Sequence, residues 1–304
     1  MSRLTTRDIL RQAAAKGLVV PAFNVPHLPM MAPIVAALQE TRAFGLIQVA
    51  RLEWMKFKSG SLKAIRDTYA GCKDERYTRL HLDHVPVIDE DNLPVDVEAI
   101  IGEAIALGYE SVMVDGSRLP LEGNIAATRA VVAMAHLAGL PVEAELGAVL
   151  GHESGPLPPY EELFASGRGF TDPAEAKRFV AESGADWLSV AVGNIHGAIS
   201  GAAKSAKKVQ ARINIEHLDR IREAVGGVPL VLHGGSGIRK ESILAAVRHG
   251  IAKINVGTTL RQAYETGLAV SPAEAVARTR AATLDVIRNE LEIEGSALQL
   301  NPES

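Results

Sequence analysis

Cysteine is nearly absent from this 304-residue chain, and the single one, Cys72, rules out an internal disulfide and fits a reducing compartment. No partner motif surrounds it, so it reads as an ordinary thiol near a helix end rather than a nucleophile. Aromatic residues make up 4 % of a chain that is 47 % hydrophobic, which predicts an aliphatic core of Val, Ile, Leu and Ala. A net charge of −4 gives no general reason to expect nucleic-acid binding or attraction to an anionic membrane. No uninterrupted apolar stretch is long enough to span a bilayer. The opening MSRLTTRDILRQAAAKG is charged throughout and lacks the apolar centre of a secretory signal. A soluble, cytoplasmic protein is expected. Also missing is a G-x-G-x-x-G after the first strand-like run, the usual mark of a doubly wound dinucleotide-binding sheet.

What is present is a regular alternation. Strand-like runs are expected at Val19–Phe23, Leu46–Ala50, Thr78–Leu82, Ser111–Val114, Val142–Glu145, Trp187–Val190, Val228–Leu232 and Ala252–Val256. Helical patterns fall between them, among them Met30–Thr41, Val95–Ala106, Leu121–Ala138, Ala174–Ser183 and Lys240–His249. Eight short strands separated by helices favour a closed parallel (β/α)8 TIM barrel, here a single domain over 1–304, ahead of a doubly wound sheet. Two stretches break the rhythm: the acidic, proline-containing Val85–Val97, and Gly193–Arg212, rich in Gly, Ala, Ser and Lys. Both begin at the expected rim, where long loops usually contact substrate.

Metal-ligand side chains recur at the ends of those strands, in LHLDH (80–84), EAELG (143–147), NIHG (194–197) and VLHGGSG (231–237). The C-terminal strand ends of a barrel are where catalytic groups gather. A catalytic zinc needs about three protein ligands and an open position, and the ligands need not be near in sequence. His84, His196 and His233, after strands three, six and seven, meet that requirement. His27, His81, His136, His152, His217 and His249 lack the placement and read as structural or solvated, with a buried supporting role open for His81. Asp83, Asp115, Glu143, Glu145 and Glu153 lie at the same rim, each able to serve as ligand, base or orienting partner. Gly234, Gly235, Ser236 and Gly237, with Asn255, Gly257 and Thr258 after strand eight, suit a phosphate.

In these motifs the chain resembles the class II, metal-dependent fructose-bisphosphate and tagatose-bisphosphate aldolases. PAFNV, LHLDH, SVMVDGS, VEAELGAVLGHE, GNIHG, VLHGGSG and AKINVGTTLR occur in order, nearly end to end. The resemblance implies a TIM barrel assembled as a homodimer or homotetramer, acting on a small-molecule sugar phosphate. It implies His84, His196 and His233 as zinc ligands and Glu145 as a carboxylate for alternative metal positions. Asp83 becomes the acid/base at the aldehyde-derived hydroxyl and Glu153 a loop carboxylate for proton transfer at the nucleophilic carbon. Asn255 would contact the zinc-stabilised enediolate of dihydroxyacetone phosphate. Gly197, Gly234, Ser236, Gly257 and Thr258 would cradle the ketose phosphate, with a monovalent cation near these loops in some relatives.

No Schiff-base lysine is then needed; Lys253 is the one rim-proximal lysine to weigh for that alternative. The chain departs from the family on the substrate side. Ala50 stands where many members carry the serine of a QVS-like motif associated with the distal phosphate. Ala198, Ile199 and Ser200 replace an aromatic-lysine pair after NIHG. An aldehyde partner other than glyceraldehyde phosphate is therefore expected. Two other readings stay open: a different metal-dependent lyase or isomerase with an enediolate, and a non-catalytic metal- and sugar-phosphate-binding barrel. Pure binding would need neither Asp83 nor Glu153.

Overall fold

A computed structural model describes residues 3–147, 159–194, 211–235 and 237–302. Eight parallel strands close into one barrel in sequence order. They are β1 (Val20–Asn24), β2 (Gly45–Ala50), β3 (Thr78–Pro86), β4 (Ser111–Asp115), β5 (Val142–Leu146), β6 (Trp187–Val190), β7 (Leu230–Leu232) and β8 (Ile251–Val256). The helices are α1 (Thr6–Lys16), α2 (Met31–Thr41), α3 (Arg51–Lys56), α4 (Leu62–Cys72), α5 (Val97–Leu107), α6 (Leu121–Leu137) and α7 (Tyr160–Ser166). They continue with α8 (Pro173–Ser183), α9 (Ile215–Ala224), α10 (Lys240–Arg248), α11 (Thr258–Leu268), α12 (Pro272–Asp285) and α13 (Ala297–Leu300). This is the (β/α)8 barrel, and the doubly wound alternative is set aside because β8 pairs with β1.

Two apolar layers follow from the period-2 alternation of each strand. Outward residues such as Phe23, Ile47, Val49, Leu80, Leu82, Val112, Val114, Val142 and Ala144 pack with the surrounding helices in one large core. Inward residues near the strand starts, including Val20, Ala22, Leu46, Trp187 and Val231, form a second core with Ile9, Leu10 and Ala13 of α1 and Leu300 of α13. α1 thus stops the lower end of the barrel. It begins with a reciprocal Thr5–Asp8 capping box and ends on Gly17 in the left-handed region, each meeting backbone groups a helix end leaves unpaired. The Val85–Val97 insertion is not irregular throughout: Ile88 bridges Pro94, and the Asp89 carboxylate accepts from the Asp91 and Leu93 amides.

Candidate active site

The site begins with an irregularity in β3. Leu80, Leu82 and Val85 join the outer core, while His81 and Asp83 point across the barrel interior. In a regular strand His84 would face the helices. Pairing with β4 slips between Leu82 and Val85, and His84 takes φ 26°, a conformation that costs an L-residue about 1–3 kcal/mol. The slip turns two consecutive side chains, Asp83 and His84, into the mouth. The ring of His84 lies 4.5 Å from that of His233, and its Nδ1 donates to Asp115 at the end of β4 over 3.3 Å.

His233, just after β7, is held between two carboxylates of β5. Its Nε2 donates to Glu143 Oε1 at 2.8 Å, and its Nδ1 lies 3.0 Å from Glu145 Oε2. Glu143 and Glu145 alternate with outward Val142 and Ala144, so both carboxylates enter the interior. Glu143 is fully buried and compensated: Lys253 Nζ is 2.8 Å from Oε2, and Trp187 Nε1 donates to the same oxygen at 2.7 Å. Burial opposes its ionisation, but Lys253 and His233 hold its carboxyl well below the usual range. Burial likewise opposes charge on His84, yet Asp83, Asp115 and Glu145 push its pKa up to about 10.

Asp83 sits in a cage of amides. Asn24 Nδ2 and Gln48 Nε2 donate to Oδ2 at 3.1 and 3.2 Å, and Asn255 Nδ2 donates to Oδ1 at 3.1 Å. The orientation of Asn255 is set from below, since Lys253 Nζ donates to its Oδ1 at 2.8 Å. Burial raises the pKa of Asp83, but His84, Lys253 and His233 outweigh it and keep the carboxyl ionised at neutral pH.

Three donor sets lie close enough to hold an ion: Asp83, His84 and His233; His84, Asp115 and Glu145; and His81, Asp83 and Glu143. The first two share His84 at the mouth. In the third, Lys253 already neutralises Glu143, and burial lowers the His81 pKa to about 3 while its Nδ1 hydrogen-bonds Ser111 Oγ. Two imidazoles and a carboxylate, brought together from β3 and from the end of β7, suit a divalent metal of the zinc type. The residues at the mouth fit one.

Beside this cluster are the turns after β7 and β8. Gly234 takes φ 69°, and the Gly235 amide donates to Asn255 O at 3.3 Å; a Cβ there would come within 2.9 Å of that oxygen. Gly257 precedes α11, whose first residue is Thr258, so the helix begins at the rim. Asp83, His84, Glu145, His233 and Asn255 are thus brought together, with Gly234, Gly257 and Thr258 on the β7–β8 side. Glu153, His196, Gly197 and Ser236, like Ile199, lie outside the described residues. The sequence reading passed over Asn24, Gln48 and Glu53. Asn24 falls within PAFNV, and Gln48 stands two residues before Ala50 on the same strand face; their inward alternation is the available signal. Lys253, weighed there as an amine nucleophile, is fully buried in an ion pair beneath Asn255.

Comparison with known proteins agrees with this geometry. The family model described as fructose-bisphosphate aldolase class-II matches residues 4–298. A fructose-bisphosphate aldolase of Streptococcus pyogenes serotype M1 is 32 % identical over 302 residues, covering 98 % of this chain and 89 % of that protein. One from Streptococcus pneumoniae strain R6 is 33 % identical over 268 residues, 87 % of this chain and 82 % of that protein. The crystal structure of the YdjI aldolase from Escherichia coli K12 superposes with TM-score 0.75 at 27 % identity, covering 97 % of this chain and 100 % of the other. Among the described residues no helix is long and apolar enough to cross a membrane. A closed barrel, a carboxylate-histidine mouth and a family match over almost the whole length converge: the chain belongs to the class II fructose-bisphosphate aldolase family and is a metal-dependent aldolase.

Proposed function

We propose that this aldolase is zinc-dependent and cleaves or forms a ketose phosphate with dihydroxyacetone phosphate as one fragment. His84 and His233, with His196, which follows β6 in the sequence, would hold the ion, and Glu145 offers an alternative ligand. When bound, the ion supplies Lewis acidity that stabilises negative charge on the substrate oxygens. Asp83 removes the proton of the hydroxyl on the aldehyde-derived carbon in cleavage and returns it in condensation. Three amides on Asp83 fix its lone pairs for that transfer. Asn255 supplies a side-chain amide beside the three-carbon fragment, and Glu153 serves proton transfer at its nucleophilic carbon. Gly197, Gly234, Ser236, Gly257 and Thr258 receive the phosphate, where amide donors and a helix start favour an anion. Family likeness supports a homodimer or homotetramer.

The observation that carries this reading is the slip in β3, which turns the ionised Asp83 and the His84 imidazole side by side into the mouth. Arg51, which could offer charge to a second phosphate, is directed instead to Asp89 at 3.6 Å. That supports an aldehyde partner other than glyceraldehyde phosphate. Cleavage of a panel of ketose mono- and bisphosphates, with zinc and with chelator, tests the reading. Metal-dependent release of dihydroxyacetone phosphate is expected. No turnover of any member by zinc-loaded protein would overturn it.

A further inference from the structure

Glu53 is a buried acid in the mouth for which the reaction has no use. It lies in the first turn of α3, one turn past the end of β2, and is only 8 % exposed. Its Oε2 accepts the Ala50 amide at 2.8 Å, and Asn24, the side chain that donates to Asp83, is near enough to oppose the rise in its pKa. Ala50 is the register partner of Asp83, so Glu53 stands beside the acid/base on the β2–β3 side of the barrel. The phosphate-binding turns lie at β7 and β8, next to β1 on the other side of β2.

We propose that Glu53 is a specificity-determining residue that fits the β2–β3 side of the mouth to an uncharged, hydroxylated end of the substrate and excludes a second phosphate. The inference rests on the aldolase reading, in which the single phosphate occupies the β7–β8 turns and the sugar chain extends past Asp83. Two features of the site support it. The strand-end donor an anion could use, Ala50 N–H, already serves Glu53. The two cations of α3 are already engaged: Arg51 faces Asp89 and Lys56 pairs with Glu90 at 2.8 Å. A dianion placed here would meet Asp83 with no free partner, a like-charge arrangement that discriminates strongly in a site shielded from water. Burial, then the nearby Asp83 charge, push the Glu53 carboxyl up to about 8 despite its bond from Ala50. At neutral pH it is mostly protonated and can donate to a sugar hydroxyl.

The test compares paired substrates, fructose 1-phosphate with fructose 1,6-bisphosphate and the corresponding tagatose pair, on zinc-loaded wild type, Glu53→Gln and Glu53→Ala. Wild type is expected to favour a 1-phosphate over the bisphosphate of the same sugar by tenfold or more in kcat/KM. Glu53→Ala should shrink that ratio at least fivefold, chiefly through a lower KM for the bisphosphate. Glu53→Gln keeps the shape and serves if the alanine variant does not fold; measured above pH 8, where it removes the carboxylate charge, it should shift the ratio in the same direction. A bisphosphate preference in wild type, or a ratio unmoved by the folded variants, overturns the proposal while leaving the aldolase reading intact. Cleavage of no sugar overturns the aldolase reading instead. Equilibrium competition between the two sugars then still decides for Glu53, and tighter binding of the bisphosphate would overturn it.

Discussion

Lys253 is the residue on which most of the interior depends. Its ammonium contacts Glu143 and Asn255, both at 2.8 Å, and approaches Asp83 to 3.9 Å. Through Glu143 it supports the orientation of His233; through Asn255 it aims an amide at Asp83. A strand-eight lysine beside a reactive mouth invites a Schiff-base reading from sequence, and the structure assigns it a charge-balancing and orienting place. Removing one partner of a buried ion pair typically costs about 3–5 kcal/mol, because the other charge is left uncompensated. Lys253→Met should therefore lower both Tm and kcat substantially. Lys253→Met with Glu143→Gln should recover much of the Tm, while kcat stays at least roughly tenfold down because Asn255 is no longer held. Thermal unfolding and steady-state rates check both; full recovery of kcat in the double variant would contradict the orienting role. Lys253 and Asn255 are two apart on one strand, so their shared inward face was legible, whereas the bond between them was not.

At the scale of elements, β3 and α1 separate what patterning reveals from what it hides. Thr78–Leu82 was readable as a strand from its alternation, but the observed strand runs to Pro86 through the slip. Nothing in LHLDH announces that His84 turns inward, since period-2 logic sends it to the helices; the pairing with β4 decides otherwise. α1 escaped the sequence reading because its charged residues dominate the N-terminal stretch. Its Ile9, Leu10 and Ala13 are nevertheless wholly buried in the floor of the barrel. Leu10→Ala should cost about 2–4 kcal/mol, by lost burial and a cavity that the packed floor cannot close. Unfolding in denaturant would show it as a lower midpoint. The site lies at the opposite end of the strands, so kcat should stay within about twofold of wild type, and a large fall in kcat would contradict this separation of floor from mouth.

For the whole molecule, the barrel gathers charges that would repel one another without cations between them. Asp83, Asp115, Glu143 and Glu145 converge at one end, balanced among the described residues by Lys253, His84 and His233. A divalent ion that binds the folded mouth and not the unfolded chain stabilises the fold by about 4 kcal/mol at a concentration a thousandfold above its Kd. Zinc added to stripped protein should raise Tm by several degrees, and chelator should reverse the shift. An unchanged Tm at saturating zinc would contradict a zinc site at the mouth. The comparison should be made at one pH, because imidazole ligands must lose protons to bind.

The division between sequence and structure follows from the range of each interaction. Alternating runs of β-branched strands and amphipathic helices determined the barrel, because periodicity is a local property and eight such units close in only a few ways. The sequence also determined which residues stand at strand ends, and so Asp83, His84, Glu145, His233 and Asn255. Tertiary structure decided their relations. It turned His84 inward by a slip against β4, set Glu143 under His233 instead of in the open mouth, and gave Asp83 its three amides from β1, β2 and β8. Each of those depends on strands that meet only when the barrel closes, and on a buried charge finding its partner where water is excluded.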